Sequence, residues 1–164
     1  MSQTASSMTR FPLFPSPLAI PLGLIPSKAH SALLVRALNR LFAPEIADGE
    51  IDFLNDRIMV IHVTDARLKF RVSLVGERLV AAEKRESDDL SIEGTVYDFL
   101  LLATRREDPD TLFFNRRLHL GGNTELGLYV KNFLDSVELE ERLGPLLKLL
   151  NGTTSVIGRF GGVR

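Results

Sequence analysis

DPDTLFFNRRLHLGGNTELGLYVKNFLD, residues 108–135, is the stretch of sequence that decides the fold. Its first half begins with Asp108-Pro109-Asp110, which is typical of a helix start because proline at an early helical position loses no hydrogen bond. Leu112, Phe113 and Phe114 follow, and they make this short helix strongly apolar. After Arg116 and Arg117, leucines at 118 and 120 alternate with polar residues, which predicts a half-buried strand.

The second half of the stretch turns and becomes helical. Gly121-Gly122 permits a sharp reversal, and Asn123 or Thr124 can cap the helix that follows. Apolar residues recur along that helix at helical spacing, at positions Leu126, Val130, Phe133, Leu134 and Val137. The stretch supplies much apolar surface and few reactive groups, a combination that suits a lipid pocket better than a reaction centre.

The rest of the chain supplies further helices and strands. Periodicity predicts a helix that starts at Ser27 and runs through Phe42, a helix that starts at Thr95 and ends near Arg105 and Arg106, and a final helix over about residues 138–150. The predicted strands are Ile58–Val63, which is apolar enough to be central, Ala66–Leu74, Leu79–Ala82 and Leu90–Gly94. This order predicts an α+β fold: a single twisted, mainly antiparallel sheet of about five strands with helices packed on one face.

Three parts of the chain differ in composition. Residues 27–151 carry the predicted elements, and residues 152–164 form a glycine-rich tail that is expected to be flexible. Residues 1–26 form a proline-rich apolar arm, and five prolines between Phe11 and Pro26 exclude a regular helix there. The proline-broken apolar run is not typical of a signal peptide.

The arm has three interpretations. Residues 1–44 contain no acidic residue, so Phe11, Phe14 and Ile20 could insert into a membrane while nearby cations meet anionic lipid. Alternatively, the arm packs over the domain's own core or remains disordered. The sequence leaves these alternatives open.

Composition excludes several classes of function. The chain of 164 residues has no cysteine, which excludes disulfides, thiol catalysis and thiolate metal sites. Its formal net charge of −1 does not favour nucleic-acid binding. No apolar run approaches the roughly 20 residues that span a bilayer.

No catalytic motif is present in the sequence. His30, His62 and His119 lack the spacing of metal ligands, and there is neither a nucleophile elbow nor a phosphate-binding loop. We therefore expect no catalytic residue, no metal and no cofactor other than a bound lipid, and a protein that is not an enzyme.

Two arginine pairs flank the short apolar helix in sequence. If Arg105, Arg106, Arg116 and Arg117 converge in space, they form a basic headgroup rim at the mouth of an apolar pocket, because guanidinium groups bind phosphate in a bidentate way. The alternative is that they are solvated charges paired with the nearby carboxylates of Glu107, Asp108 and Asp110.

The stretch also resembles a known family. Residues 108–114, 116–118 and 124–132 are similar to the UbiT family of ubiquinone-biosynthesis accessory factors, which lies in the sterol-carrier-protein (type two) lipid-binding superfamily. Weaker similarity lies at residues 47–50, 53–54 and 61–63, so the resemblance covers roughly residues 33–140. One departure is Asn123, where the family is expected to carry Asp, although Asn can also cap a helix.

The resemblance implies a sheet and helices that enclose an apolar cavity. It implies a lipid-binding accessory protein that presents isoprenoid quinone precursors in oxygen-independent ubiquinone biosynthesis, with UbiU and UbiV as partners. The implied location is cytoplasmic, with transient contact at the inner membrane surface. The alternatives are a phospholipid carrier, with phosphatidic acid as the ligand that the arginine rim favours, and a protein-docking scaffold whose cavity is filled by its own side chains.

Periodicity places ten residues on the core side of adjacent elements, and we expect these to line the lipid pocket. They are Leu68, Phe70, Val72, Phe99, Leu102, Leu112, Phe113, Leu126, Val130 and Phe133.

Overall fold

A computed structural model describes residues 27–139 and 141–145, with side chains from residue 29 onward. The helices are α1 (Ser27–Leu41), α2 (Ala43–Ala47), α3 (Val96–Ala103), α4 (Pro109–Phe114) and α5 (Thr124–Ser136), with a 3-10 turn at Asp52–Leu54 and helical residues at 141–145. The strands are β1 (Met59–Val63), β2 (Leu68–Val75), β3 (Arg78–Ala81), β4 (Leu90–Gly94) and β5 (His119–Gly122). The predicted arm at 1–26, the tail at 152–164 and the end of the predicted final helix lie outside the described residues.

Three helices begin where the sequence predicts, because a polar side chain satisfies their first amides. Thr95 and Asp98 form a reciprocal capping box at α3, with Asp98 N donating to Thr95 Oγ1 at 3.2 Å and Thr95 N donating to Asp98 Oδ2 at 3.0 Å. Asp108 caps α4, and the hydroxyl and amide of Thr111 hold the pKa of its carboxyl below the ordinary value. Asn123 caps α5 by accepting a hydrogen bond from Leu126 N at 3.0 Å. The helix cap is therefore kept with asparagine at the position where the family is expected to carry aspartate.

The five strands form one open sheet in the order β3-β2-β1-β4-β5. β1 is central, as predicted. Neighbouring strands are antiparallel except for β1 and β4, which are parallel. The prediction of a single, mainly antiparallel sheet is therefore confirmed.

The strand register separates an apolar face from a polar one. Cross-strand rows that face the helices contain only apolar side chains, and the neighbouring row on the opposite face carries charge. One inner row consists of Phe70, Ile61, Ile92 and Leu120. The adjacent outer row consists of Lys69, His62, Glu93 and His119.

The helices cover the apolar face. α1 packs on β2 and β3, and α5 packs on β5 and against the buried side chains of β4. α3 and α4 pack together through a cluster of four buried leucines: Leu101, Leu102, Leu112 and Leu118. Among the described residues, no helix is both long and apolar enough to cross a membrane.

Candidate functional site

A cavity of about 350 Å³ lies between the inner face of the sheet and the helices. Its wall is formed by α1, the 3-10 turn, the inner rows of the sheet, α3, α5 and the start of the helical segment after Val137. Every described side chain in this wall is a hydrocarbon, apart from the thioether of Met59. The wall therefore offers a ligand no charge and no strong hydrogen-bonding group.

The structure brings six of the ten predicted pocket residues together in this wall. They come from β2, α3 and α5, three elements that are distant in sequence. The six are Phe70, Val72, Phe99, Leu102, Val130 and Phe133.

The other four lie elsewhere, because each packs into a closed part of the core or lies at the end of a strand. Leu112 is 0% exposed in the leucine cluster between α3 and α4, and Phe113 packs against the same cluster. Leu126 packs on Leu90 and Ile92 instead of facing the cavity. Leu68 is the first residue of β2, and although its strand partner Val63 lines the cavity, Leu68 itself does not.

Sequence reasoning missed the contributions of α1 and of the segment after it. Leu34, Leu38 and Leu41 follow helical spacing along α1 and all line the cavity. This apolar stripe was visible in the sequence, but periodicity did not show which part of the core α1 would face. Other lining residues that the prediction omitted are Phe42, Ile51, Phe53, Leu54, Met59, Ile61, Val63, Leu79, Ile92, Ala103, Leu134, Leu139 and Leu143.

Part of the wall is aromatic. Phe133 contacts Phe42 and Phe53 edge-on, with ring centroids 5.2 Å and 6.3 Å apart. Tyr129 stacks on Phe53 with ring centroids 6.0 Å apart and is 47% exposed. The rings thus lead from the protein surface to the cavity.

Hydrogen bonds tie the elements around the cavity to one another. Asn39 in α1 donates to Leu79 O at 2.7 Å and accepts from Leu79 N at 2.9 Å, which fixes α1 to β3. Arg105, after α3, donates to Asp135 O at 2.7 Å and to Val137 O, which fixes the end of α5. We call these contacts, with the one described next, the struts of the cavity.

The third strut holds the helical residues 141–145. Arg142 lies 2.6 Å from Glu45 Oε1 and donates to Leu41 O at 2.8 Å, so this segment is fixed to α1 and α2. Hydrogen bonding from Arg142 lowers the pKa of Glu45 below its ordinary value, despite the opposing effect of burial. The same contact raises the pKa of Arg142. Because Leu139 and Leu143 belong to the cavity wall, this ion pair positions one side of the cavity.

None of the four arginines proposed for a headgroup rim lines the cavity. Arg105 is engaged with the end of α5, and Arg106 is exposed. Arg116 and Arg117 line a separate polar cleft of about 560 Å³, together with Glu93, Asp98 and His119. Arg117 lies 2.6 Å from Asp98 and 3.6 Å from Glu107, the second of which is one of the carboxylate partners weighed from sequence.

The histidines lie in three different settings. His62 Nδ1 is 3.5 Å from Glu93 Oε1 on the outer face of the sheet, and His119 is exposed on the same face. His30 lies on α1 with its ring edge-on to Phe70. Among the described residues, no group of three histidine or carboxylate side chains is placed to hold a metal ion.

Comparison with known proteins agrees with this architecture. Residues 35–135 match the model of the SCP-2 sterol transfer family. The chain belongs to the SCP-2 sterol transfer family. It is also 43% identical over 129 residues to the ubiquinone biosynthesis accessory factor UbiT of Escherichia coli (strain K12), an alignment that covers 79% of this chain and 74% of that protein. The resemblance to UbiT seen in residues 108–132 thus extends over most of this SCP-2 protein.

A solved structure supports the fold. The UbiJ-SCP2 ubiquinone synthesis protein superposes with a TM-score of 0.53 at 13% identity, over 65% of this chain and 94% of that chain. At this identity the likeness concerns the fold alone.

Proposed function

We propose that this SCP-2 protein is a non-enzymatic accessory factor that holds the isoprenoid chain of a ubiquinone precursor in its cavity. The observation that carries the proposal is a cavity with a wholly apolar wall in a chain that is 43% identical to UbiT. An isoprenoid chain has no hydrogen-bonding group, so such a wall matches it. The activity that follows is presentation of the aromatic ring of the bound precursor to ubiquinone-biosynthesis enzymes.

The size of the cavity sets how much of a lipid it encloses. An apolar cavity of roughly 150 Å³ admits a benzene molecule and stays free of water. By that comparison the present cavity of about 350 Å³ encloses on the order of a dozen carbon atoms, or two to three isoprene units. Each buried methylene contributes about 0.8 kcal/mol, so chain burial supplies affinity without directional contacts.

The partners in this proposal come from the likeness to UbiT. We expect the protein to act in the cytoplasm with UbiU and UbiV in oxygen-independent ubiquinone biosynthesis. Transient contact with the inner membrane would allow it to collect its ligand. The acid-free, proline-rich residues 1–26, with Arg10 and the nearby Lys28, are our candidate for that contact, since apolar side chains with cations favour an anionic lipid surface.

Two alternatives serve as outcomes of the test. A phospholipid such as phosphatidic acid could occupy the same wall, although the four arginines lie outside it. A docking scaffold would keep its cavity empty of lipid.

Solvent extraction of the purified protein followed by mass spectrometry distinguishes these cases. An isoprenoid quinone intermediate supports the proposal, a phospholipid supports the carrier alternative, and a folded protein that neither contains nor takes up lipid supports the scaffold. Ala103→Phe should reduce lipid content severalfold, because Ala103 lines the cavity and the added ring would fill part of it. Ala37→Phe is the matched control, since Ala37 is exposed on α1 and is not part of the wall.

A further inference from the structure

One part of the cavity wall is held less firmly than the others. The half-buried side chain of Asn39 bonds α1 to the backbone of β3, and Arg105 bonds the end of α5 through two backbone carbonyl groups. In the described part of the chain, the polar contacts that hold the helical residues 141–145 to other elements all come from Arg142, whose side chain is 33% exposed. Because water weakens an ion pair at an exposed side chain, residues 141–145 are the part of the wall that separates most easily.

The Arg142 strut consists of three contacts made by one side chain. Arg142 Nη1 donates to Glu45 Oε2 at 2.7 Å and to Leu41 O at 2.8 Å, and Nη2 lies 2.6 Å from Glu45 Oε1. Glu45 is buried in α2 and therefore fixed, whereas Arg142 is at the surface. A movement of this one arginine side chain ends all three contacts together.

The two leucines that this segment contributes to the wall differ in burial. Leu139 is 4% exposed and belongs to the same core cluster as Ile46. Leu143, one helical turn later, is half-buried and lines the cavity. Val137, which ends α5, has extended backbone, and Glu138 is also non-helical, so the chain can bend there without breaking a helix. A rotation about Leu139 would withdraw Leu143 from the wall while the core around Leu139 stays closed.

We propose that the helical residues 141–145 form a lid on one side of the cavity, with Leu139 as the pivot and the Arg142 strut as the contact that keeps the lid closed. Release of the strut allows Leu143 to leave the wall, which opens a path for an apolar ligand. The role in ligand exchange rests on the proposed function, whereas the motion itself does not. Neither Arg142 nor Glu45 lines the cavity, so the strut should control the rates of ligand exchange more than the affinity.

A thiol tests the motion of the lid without any ligand. The chain has no cysteine, so Leu143→Cys carries a single thiol whose rate of reaction with a disulfide reagent reports how often the lid opens. Addition of Arg142→Gln should raise this rate about fivefold, as expected when an exposed ion pair is lost. Leu139→Cys, at the pivot, should react slowly with or without the strut. Equal increases at both positions would mean that the whole segment detaches or that the protein unfolds, and would overturn the lid.

Prenylbenzene, a prenyl chain on an aromatic ring with no polar group, tests ligand exchange. Its Kd for the full-length protein is measured by calorimetry, and its release rate by NMR exchange spectroscopy. Arg142→Gln should raise the rate constants of release and association together, each about fivefold, and leave Kd nearly unchanged. Arg142→Lys should keep part of the slow exchange, because lysine can still pair with Glu45. Arg40→Gln is the matched control, since Arg40 is exposed on α1 outside the strut and its loss should change neither rate.

The outcomes separate the lid from the proposed function. If wild type does not bind prenylbenzene, the lipid-binding proposal fails, and the thiol rates still decide whether residues 141–145 open. If prenylbenzene binds and Arg142→Gln weakens Kd through the release rate alone, the strut only shapes the wall and the lid is overturned. Thiol and exchange rates that stay at the wild-type values in Arg142→Gln would overturn it as well.

Discussion

The two sides of α3 carry similar apolar side chains, but one side is closely packed and the other borders a cavity. On one side, Leu101 packs closely with Leu112 and Leu118, which are 0% and 1% exposed, and Leu102 contributes both to this cluster and to the cavity wall. On the other side, Phe99, Leu102 and Ala103 face a cavity. The closed side is built from consecutive elements joined by short connections, whereas the cavity is bounded by elements that are distant in sequence.

The difference teaches what keeps an apolar space open. Apolar surfaces that close on each other lower the free energy of the folded protein. A cavity therefore needs contacts that fix the distance between its walls. The struts from Asn39, Arg105 and Arg142 meet this need, because each binds backbone carbonyl groups of another element. No such strut is needed where α3 and α4 pack directly.

The largest expected effect is a contrast between two leucines. Leu112→Ala should lower the free energy of unfolding by about 2–5 kcal/mol, because it leaves a new hole in a closed cluster. Leu38→Ala should lower the free energy of unfolding by only about 1 kcal/mol, since Leu38 is half-buried and already borders a cavity. Urea denaturation measures both, and equal losses would mean that the leucine cluster and the cavity wall are packed alike.

The Asn39 strut is expected to have the next largest effect. Asn39→Ala removes both side-chain bonds to Leu79 and should cost about 1–3 kcal/mol, because Leu79 N and O lose their partner in a half-buried place. It should also lower uptake of prenylbenzene, since α1 is then free to approach the sheet. Asn132→Ala, at an exposed position of α5, provides the control. Unaltered uptake in a destabilised Asn39→Ala protein would show that the strut serves stability alone.

The Arg142–Glu45 strut should contribute about 1 kcal/mol, because Arg142 is 33% exposed and water weakens the ion pair. The pKa of Glu45 is lowered in the folded protein. The full contribution of the ion pair to stability is therefore present above the pKa of about 4.3 that Glu has in the unfolded chain. It is lost as the pH falls through the lower folded value. Glu45→Gln should therefore reduce stability at neutral pH and have little effect in acid. A stability difference that persists unchanged at acid pH would exclude the ion pair as its cause.

The sequence predicted the elements better than it predicted their partners. Thr95, Asp108 and Asn123 begin helices through local hydrogen bonds, and such bonds can be read from neighbouring residues. The parallel pairing of β1 with β4 depends on the alignment of Met59 with Leu90, which no local pattern specifies.

The cavity was predicted only in part for the same reason. Helical or strand periodicity shows which face of an element turns inward, so Phe99 and Leu112 look alike in the sequence. Whether an inward residue meets a void or a neighbour depends on spacing between distant elements. Leu112 meets Leu118 through a connection of a few residues, whereas Phe99 faces a space whose other walls come from α1 and β1.

The smallest expected effect lies at a glycine on the closed side of the core. A Cβ at Gly127 in α5 would lie 3.7–4.0 Å from Leu120 and Leu90 side-chain atoms, which is ordinary contact distance. Gly127→Ala should therefore raise the free energy of unfolding by about 0.5–1 kcal/mol through helix propensity, without changing prenylbenzene binding, because Gly127 is outside the cavity wall. Gly94→Ala is the opposite case, since its Cβ would lie 2.6 Å from Leu118 Cδ2 in the closed cluster and should destabilise the protein. A loss of probe binding in the stabilised Gly127→Ala protein would show that tightening α5 narrows the cavity, and that the closed and open regions are coupled through this helix.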